Sequence, residues 1–165
     1  MNAAKTSHIA EKIREDLGGV KVIEVVLIEK AWQNDFQAYD NMIVGASTWF
    51  DGELPTYWDE LVPELESLDL KGKKVAIFGL GDQKNYPDNF VDGMGILADA
   101  FQKAGAELVG FTSTDGYTFN QSWAVRGEKF CGLVIDQENQ AQLTSKRIAD
   151  WCKLIKEDFT SNKKE

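Results

Sequence analysis

VAIFGLGDQKNYPDNF, residues 75–90, opens as an apolar run and breaks at Gly79 and Gly81. Asp82, Gln83 and Tyr86 follow, and a new helix is expected to open near Asp88. A short continuous apolar run bounded by turn residues predicts a strand buried on both faces. In an open parallel sheet, ligands sit in the crevice beyond the carboxyl ends of such strands. The loop after Leu80 is therefore the first candidate site.

Elements on either side extend the pattern. Upstream, Ile9, Ile13 and Leu17 recur at helical spacing, with Thr6 or Ser7 as candidate caps and Gly18-Gly19 as a stop. Residues 20–28 are β-branched and aliphatic and predict a strand, and YDNMIVG, residues 39–45, predicts a second. Pro55 suits a helix start, with Trp58, Leu61, Val62 and Leu65 on one face and Pro63 expected to kink or shorten the helix. Downstream, Phe90, Met94, Leu97, Ala98 and Phe101 share a helical face that Gly105 should end. Residues 108–112 predict another strand. Residues 114–129 have no clear period and read as an insertion, and 130–135 resume as strand. Thr144 is expected to cap a last helix that turns Ile148, Trp151, Cys152, Ile155 and Phe159 inward, ahead of a frayed tail. Strands alternating with helices predict an α/β fold with a parallel sheet, in one domain spanning 1–165.

Composition narrows the function. The chain has 165 residues, 43% hydrophobic and 27% charged, the balance of a folded globular protein. A net charge of −9 argues against nucleic acid or an anionic membrane as partner and fits a protein that meets basic surfaces, though acidity also serves solubility. Cys131 and Cys152 are too few and too far apart for a disulfide framework or a CxxC motif, so they read as buried thiols in a reducing compartment. His8, the only histidine, has no metal-binding companions. No run approaches a membrane span and no signal peptide is visible, which points to the cytoplasm.

Two loops at strand ends carry residues that a core would not need. The first holds Thr48, Trp49, Phe50, Asp51 and Gly52; the second places Tyr86 in a turn rich in Gly, Asp and Asn. Two aromatics on neighbouring loops can sandwich a planar heterocycle, and stacking is worth about 0.5–1.5 kcal/mol per pair beyond area burial. The plainer alternative is that Trp49 and Tyr86 only cover the sheet end.

TWFDGEL (48–54), FGLGDQKNYPDNF (78–90), STDGYTF (113–119) and GLVIDQENQ (132–140) together resemble the long-chain flavodoxins. The resemblance implies a flavodoxin-like three-layer sandwich with an open parallel sheet, and its strand order 2-1-3-4-5 is carried over from the family. It implies a low-potential, monomeric one-electron carrier holding FMN non-covalently, not an enzyme. Trp49 and Tyr86 would flank the flavin ring, Tyr86 on the solvent side. Thr48 and the backbone of Phe50, Asp51 and Gly52 would sit at the ring edge, the Phe50–Asp51 peptide where the family's carbonyl turns toward flavin N5. Asp82 and Asn89, next to Gly81, would contact the ring edge and ribityl chain. Negative charge on the reduced ring would be disfavoured beside Asp51, Asp82 and Asp88, which keeps the carrier strongly reducing. The implied partners are redox proteins such as ferredoxin–NADP reductase and low-potential acceptors.

The chain departs from the family at its start. Flavodoxins open with a hydrophobic strand and a Thr/Ser-x-Thr-Gly-x-Thr loop that wraps the FMN phosphate. In this chain Lys5-Thr6 aligns with the end of that loop, while Asn2-Ala3-Ala4 stands where x-Thr-Gly belongs. Lys5, Thr6 and Ser7 still offer charge, hydroxyls and a helix N-terminus to a phosphate. The first strand is expected to be missing from the chain, which removes ladder partners from both neighbours at about 1–3 kcal/mol per unsatisfied buried group. The favoured reading is a late start codon. The others are a shortened form with the 20–28 strand moved beside the 39–45 strand, and a decayed copy that no longer holds flavin. A quinone or NAD(P)H reductase of the same fold is the enzymatic alternative, and Tyr86 over the ring would block its second substrate.

Overall fold

The computed structural model describes residues 3–21, 23–49 and 51–161. Helix α1 is Ala3–Asp16, a short α2 is Gln33–Gln37, and strand β1 is Asn41–Ser47. Helix α3 (Thr56–Glu66), strand β2 (Lys74–Leu80) and helix α4 (Asp92–Lys103) follow. Then come β3 (Glu107–Val109), β4 (Thr112–Ser113), β5 (Val125–Arg126), β6 (Lys129–Phe130) and β7 (Gly132–Ile135). Helices α5 (Gln137–Gln140) and α6 (Thr144–Thr160) close the described chain.

Strand β2, the opening apolar run of residues 75–90, is the axis. Residues 75–80 are all buried, as a strand covered on both faces requires. β1 lies parallel along one edge over seven pairs, from Asn41 opposite Lys74 to Ser47 opposite Leu80. β3 and β7 share the other edge, β3 beside residues 74–76 and β7 beside residues 77–80. Side chains of a strand alternate between faces. Ala76, Phe78 and Leu80 accordingly meet Ile9 and Ile13 of α1 and Ile148, Trp151 and Ile155 of α6. Val75 and Ile77 meet Trp58, Leu61 and Leu65 of α3 and Met94, Leu97 and Phe101 of α4. Helices on both faces of a parallel sheet make the expected three-layer sandwich. Each large side chain fully buried there contributes about 1.5–3 kcal/mol.

Several boundaries differ from expectation, each for a local reason. β2 continues through Gly79 to Leu80. A Cβ on Gly79 would lie 2.2 Å from Met94 Cγ, so this glycine lets α4 press on the strand rather than ending it. α4 opens at Asp92, not near Asp88, because Val91 is left-handed at φ 49°. It ends as expected: Gly105, at φ 98°, donates to Gln102 O and Ala106 N donates to Phe101 O, the paired bonds of a glycine-terminated helix. α3 runs through Pro63 and stops at Glu66. α1 starts at Ala3, which puts Thr6 and Ser7 inside the helix rather than at its cap. Thr144 is likewise the first helical residue of α6, with Leu143 at the cap position and no side-chain capping bond. The 112–130 region holds a small antiparallel sheet in the order β4-β6-β5, so Phe130 belongs there and the main sheet resumes only at Gly132.

The largest correction concerns residues 20–28. No strand forms among the described residues of that stretch; a short 3-10 turn, Ile28–Lys30, ends it. Its high β propensity is not enough, because a strand is stabilised by a ladder partner and by packed faces. On the side of β1 away from β2 no strand is paired among the described residues either. Lys74 N donates to Asp40 O and Thr48 N to Leu80 O, so even-numbered residues of this strand bond β2. The backbone groups of Asn41, Ile43, Gly45 and Ser47 therefore point the other way. Trp58 Nε1 donates to Gly45 O at 3.0 Å on that side. Between the β1 edge, α1 and residues 23–29 lies an apolar cavity of about 860 Å³.

Candidate functional site

The loops leaving β1 and β2 converge beside the start of α4. Thr48 is buried and its Oγ1 accepts from Gly93 N at 3.1 Å, tying the end of β1 to α4. Trp49 and Glu53 exchange two backbone bonds of 2.7 Å, which folds residues 49–53 into a tight turn. Gly52 has φ 101° there, and a Cβ on it would lie 2.9 Å from Asp92 Oδ2, so only glycine fits without strain. The half-buried Trp49 indole donates to Ser47 Oγ at 3.1 Å.

The second loop is shaped by Asp82. Its carboxylate accepts from Lys84 N, Asn85 N and Asn85 Nδ2 at 3.2, 3.1 and 2.7 Å, and from Asn139 Nδ2 at 2.8 Å. Burial alone would raise its pKa, but the bonds from Asn139, Asn85 and Lys84 outweigh it and hold the carboxyl below its usual range. The Asp82 side chain is thus committed to building the turn. Tyr86 N donates to Asp82 O at 2.9 Å, and the residue is 41% exposed. Thr48, Gly81, Asp82, Tyr86, Asn89, Phe90 and Val91 line one narrow cleft of about 10 Å³. Seating a flat heterocycle there requires the two loops to part, since small-molecule pockets hold about 300–1,000 Å³.

Trp49 faces differently. It lines the 860 Å³ cavity together with Thr6 and Ser7. Thr6 Oγ1 is buried without a hydrogen-bond partner, an orphan that suits an incoming acceptor oxygen. Lys5 Nζ pairs with Glu138 Oε1 at 2.5 Å, with both side chains about half exposed, a contact worth at most about 1 kcal/mol and easily exchanged for another anion. Thr48, Gly81, Asp82, Tyr86 and Asn89 therefore share one cleft, while Trp49 and Thr6 share the adjoining cavity. Gly52 abuts Asn89 and Asp92, Asp51 is exposed, and Phe50 lies outside the described residues. Exposed Tyr86, half-buried Trp49 and the orphan Thr6 hydroxyl are the kinds of group that a planar ring carrying an anionic arm can use.

Sequence reasoning overlooked the supports of this loop. Buried Gln83 and Asp136 form a polar cluster behind it with half-buried Asn139, for which the only sequence signal is an Asp with an Asn three residues later at a helix start. Asp92 was also passed over: its Oδ1 accepts from Trp123 N at 2.6 Å, and burial raises its carboxyl pKa despite that bond. The two aspartates respond to acid in opposite senses. Asp82, depressed when folded, contributes stability that is complete above its unfolded value near 3.9 and lost as pH falls through its folded value. Asp92, raised when folded, weakens the fold at neutral pH, and acidification relieves that penalty. Carboxyl NMR titration is expected to place the Asp92 midpoint above, and the Asp82 midpoint below, about 3.9. The reverse order would contradict the bonding of Asp82 in its turn and the burial of Asp92.

Other chemistries find no support among the described residues. No group of three or more His, Cys, Asp or Glu side chains is arranged to hold a metal ion. No helix is long and apolar enough to cross a membrane. Cys131 and Cys152 are free and buried, and burial pushes both thiols up to about 11.

Comparison with known proteins places this geometry. The family model described as Flavodoxin matches residues 3–151. A flavodoxin of Synechococcus elongatus is 44% identical over 93% of this chain and 91% of its own length. One from Trichodesmium erythraeum is 45% identical over 94% of this chain and 91% of its own length. Among solved structures, a Fusobacterium nucleatum flavodoxin bound to flavin mononucleotide superposes with a TM-score of 0.88 at 33% identity, covering 96% of this chain and 93% of that one. The chain belongs to the flavodoxin family.

Proposed function

We propose that this chain binds FMN non-covalently and carries single electrons between redox proteins. The observation that carries the reading is the convergence of Thr48, Gly81, Asp82, Tyr86 and Asn89 at the carboxyl ends of β1 and β2, with Trp49 on the adjoining wall. When bound, FMN supplies the one-electron chemistry. The chain's own residues supply the setting. Tyr86 offers an exposed aromatic face, Trp49 a half-buried one, and the Gly81 and Gly52 backbones permit close approach to a ring edge. Asp51 and Gly52 complete the ring side, and Lys5 and Thr6 receive the phosphate. Asp51, Asp82 and Asp88 put negative charge near the ring and resist the arrival of more.

The long-chain branch is favoured by the polar 112–130 region with its small sheet. We further infer that this chain lacks the family's opening strand and most of its phosphate loop, a reading supported by the β1 edge that no strand pairs among the described residues. A single-domain, monomeric, cytoplasmic carrier fits the net charge of −9 and the absence of a membrane-spanning helix among the described residues. The same charge suits docking on basic surfaces, as on ferredoxin–NADP reductase and low-potential acceptors. A reductase reading needs a second substrate over the ring, where Tyr86 stands.

Titration of the folded protein with FMN is expected to quench flavin fluorescence, and Tyr86→Ala to weaken binding about two- to tenfold through lost stacking. Folded protein that leaves FMN fluorescence unchanged would overturn the proposal.

A further inference from the structure

Asp136, at the end of β7, is wholly buried and ion-paired with no residue among those described. It is nevertheless saturated with donors. Oδ2 accepts from Gln83 N at 3.1 Å, Gln83 Nε2 at 2.7 Å and Asn139 Nδ2 at 2.9 Å. Oδ1 accepts from Asn139 N and Nδ2, both at 3.1 Å. Only an acceptor on both oxygens satisfies this set, which is what an ionised carboxylate offers and an amide does not.

The consequences reach the ring loop along two bonded paths. Held by Asp136, the Gln83 amide turns its Oε1 to accept from Thr118 N at 2.7 Å. That bond fastens the 112–130 region, whose Asn120 and Gln121 amides bond Pro87 O at 2.7 and 3.0 Å. Held by the same carboxylate, Asn139 donates to Asp82 Oδ1, and Asp82 in turn forms the turn that carries Tyr86. Both ends of residues 82–87 are therefore anchored on one buried group that does not line the ring cleft.

We propose that Asp136 is a positioning residue for the flavin site, fixing the Tyr86 loop through Gln83 and Asn139. The proposal rests on the FMN reading above for its functional half and on geometry alone for its structural half. The same-sized substitution Asp136→Asn sets an NH2 group against donors and leaves at least one of them unpaired.

The test uses the full chain. Native-state hydrogen exchange of D136N without FMN is expected to show at least about tenfold less protection at the Gln83, Tyr86 and Thr118 amides, with Val75 to Ile77 unchanged. FMN fluorescence titration is expected to show about tenfold weaker binding. Tyr86→Ala, by contrast, weakens binding without altering exchange at Gln83 and Thr118. Unchanged protection in D136N overturns the positioning role, and lost protection with unchanged affinity overturns its link to flavin. If the wild type binds no FMN, the function proposal fails while the exchange result still decides the structural half. Should D136N not fold, Asn139→Ala breaks the link to Asp82, and unchanged protection at Tyr86 in that variant overturns the proposal.

Discussion

Placing an apolar strand of about seven residues and a Thr/Ser-x-Thr-Gly loop ahead of Lys5 is expected to tighten FMN binding at least about a hundredfold and to stabilise the fold by roughly 3–5 kcal/mol. The strand length matches the seven residues of β1. Beyond β1, the backbone groups of Asn41, Ile43 and Ser47 and the Gly45 N–H face a cavity of about 860 Å³ instead of a ladder, Gly45 O being bonded by Trp58 Nε1. A strand seated there would satisfy them at about 1–3 kcal/mol for each group otherwise left buried and unpaired. It would also give the 20–28 stretch the partner its composition suits. Gains of this kind are offset by ordering the added residues, at about 1–2 kcal/mol each, which limits the net figure. For FMN, the added loop supplies hydroxyls and backbone N–H groups around the phosphate, beside the orphan Thr6 Oγ1. Urea denaturation and fluorescence titration of the extended and present chains side by side measure both effects. Equal midpoints and equal affinities would show that the cavity is not a strand site.

Gly132→Ala is expected to be the most damaging single substitution, costing more than about 3 kcal/mol of a total that is typically about 5–15. A Cβ at that position would sit 1.8 Å from Ile77 O and 2.7 Å from Ile77 C. The obstacle is backbone in the central strand, which cannot swing aside as a side chain would. Gly132 stands opposite Ile77 where β7 takes over from β3 on the edge of β2, so relief would open the ladder below the ring loops. Thr112 Oγ1 also donates to Gly132 O at 2.5 Å, and that contact would shift with it. Gly127→Ala is the control. Its φ is 67°, but nothing lies within 4 Å, so only backbone strain of about 1 kcal/mol is expected. Chemical denaturation curves for the two variants test the difference; a loss at Gly132 no larger than at Gly127 would contradict the close approach.

The periodicities of this chain located its buried layers well. Val75, Ile77 and Phe78 emerged as core because a strand with helices on both faces must be apolar throughout. Met94, Leu97 and Phe101, and Ile148, Trp151 and Ile155, emerged because a helix facing a sheet repeats its apolar residues every three to four positions. The two loops of the proposed site stood out in the sequence for a different reason: Trp49 and Tyr86 are large aromatics in turns, where no core demands them.

What stayed hidden depends on partners far away in sequence. Residues 20–28 have a strand's composition but no ladder, and propensity alone does not form a strand. Val91 adopts a left-handed conformation, at φ 49°, that its β-branched side chain disfavours. The bonds from Asn85 and Asn139 that hold the Asp82 side chain in its turn come from residues 3 and 57 positions away, and the second of them has no sign in the local sequence.

By itself, then, the sequence determined the layered α/β architecture, the order of its helices and most of its strands, and which two loops carry the aromatics, because periodicity and turn chemistry are local. Only the tertiary structure decided that β1 faces an open cavity and that a carboxylate 53 residues beyond Gln83 anchors the Tyr86 loop. Hydrogen-bond satisfaction and close backbone approach are properties of neighbours in space, and no window of sequence contains both neighbours.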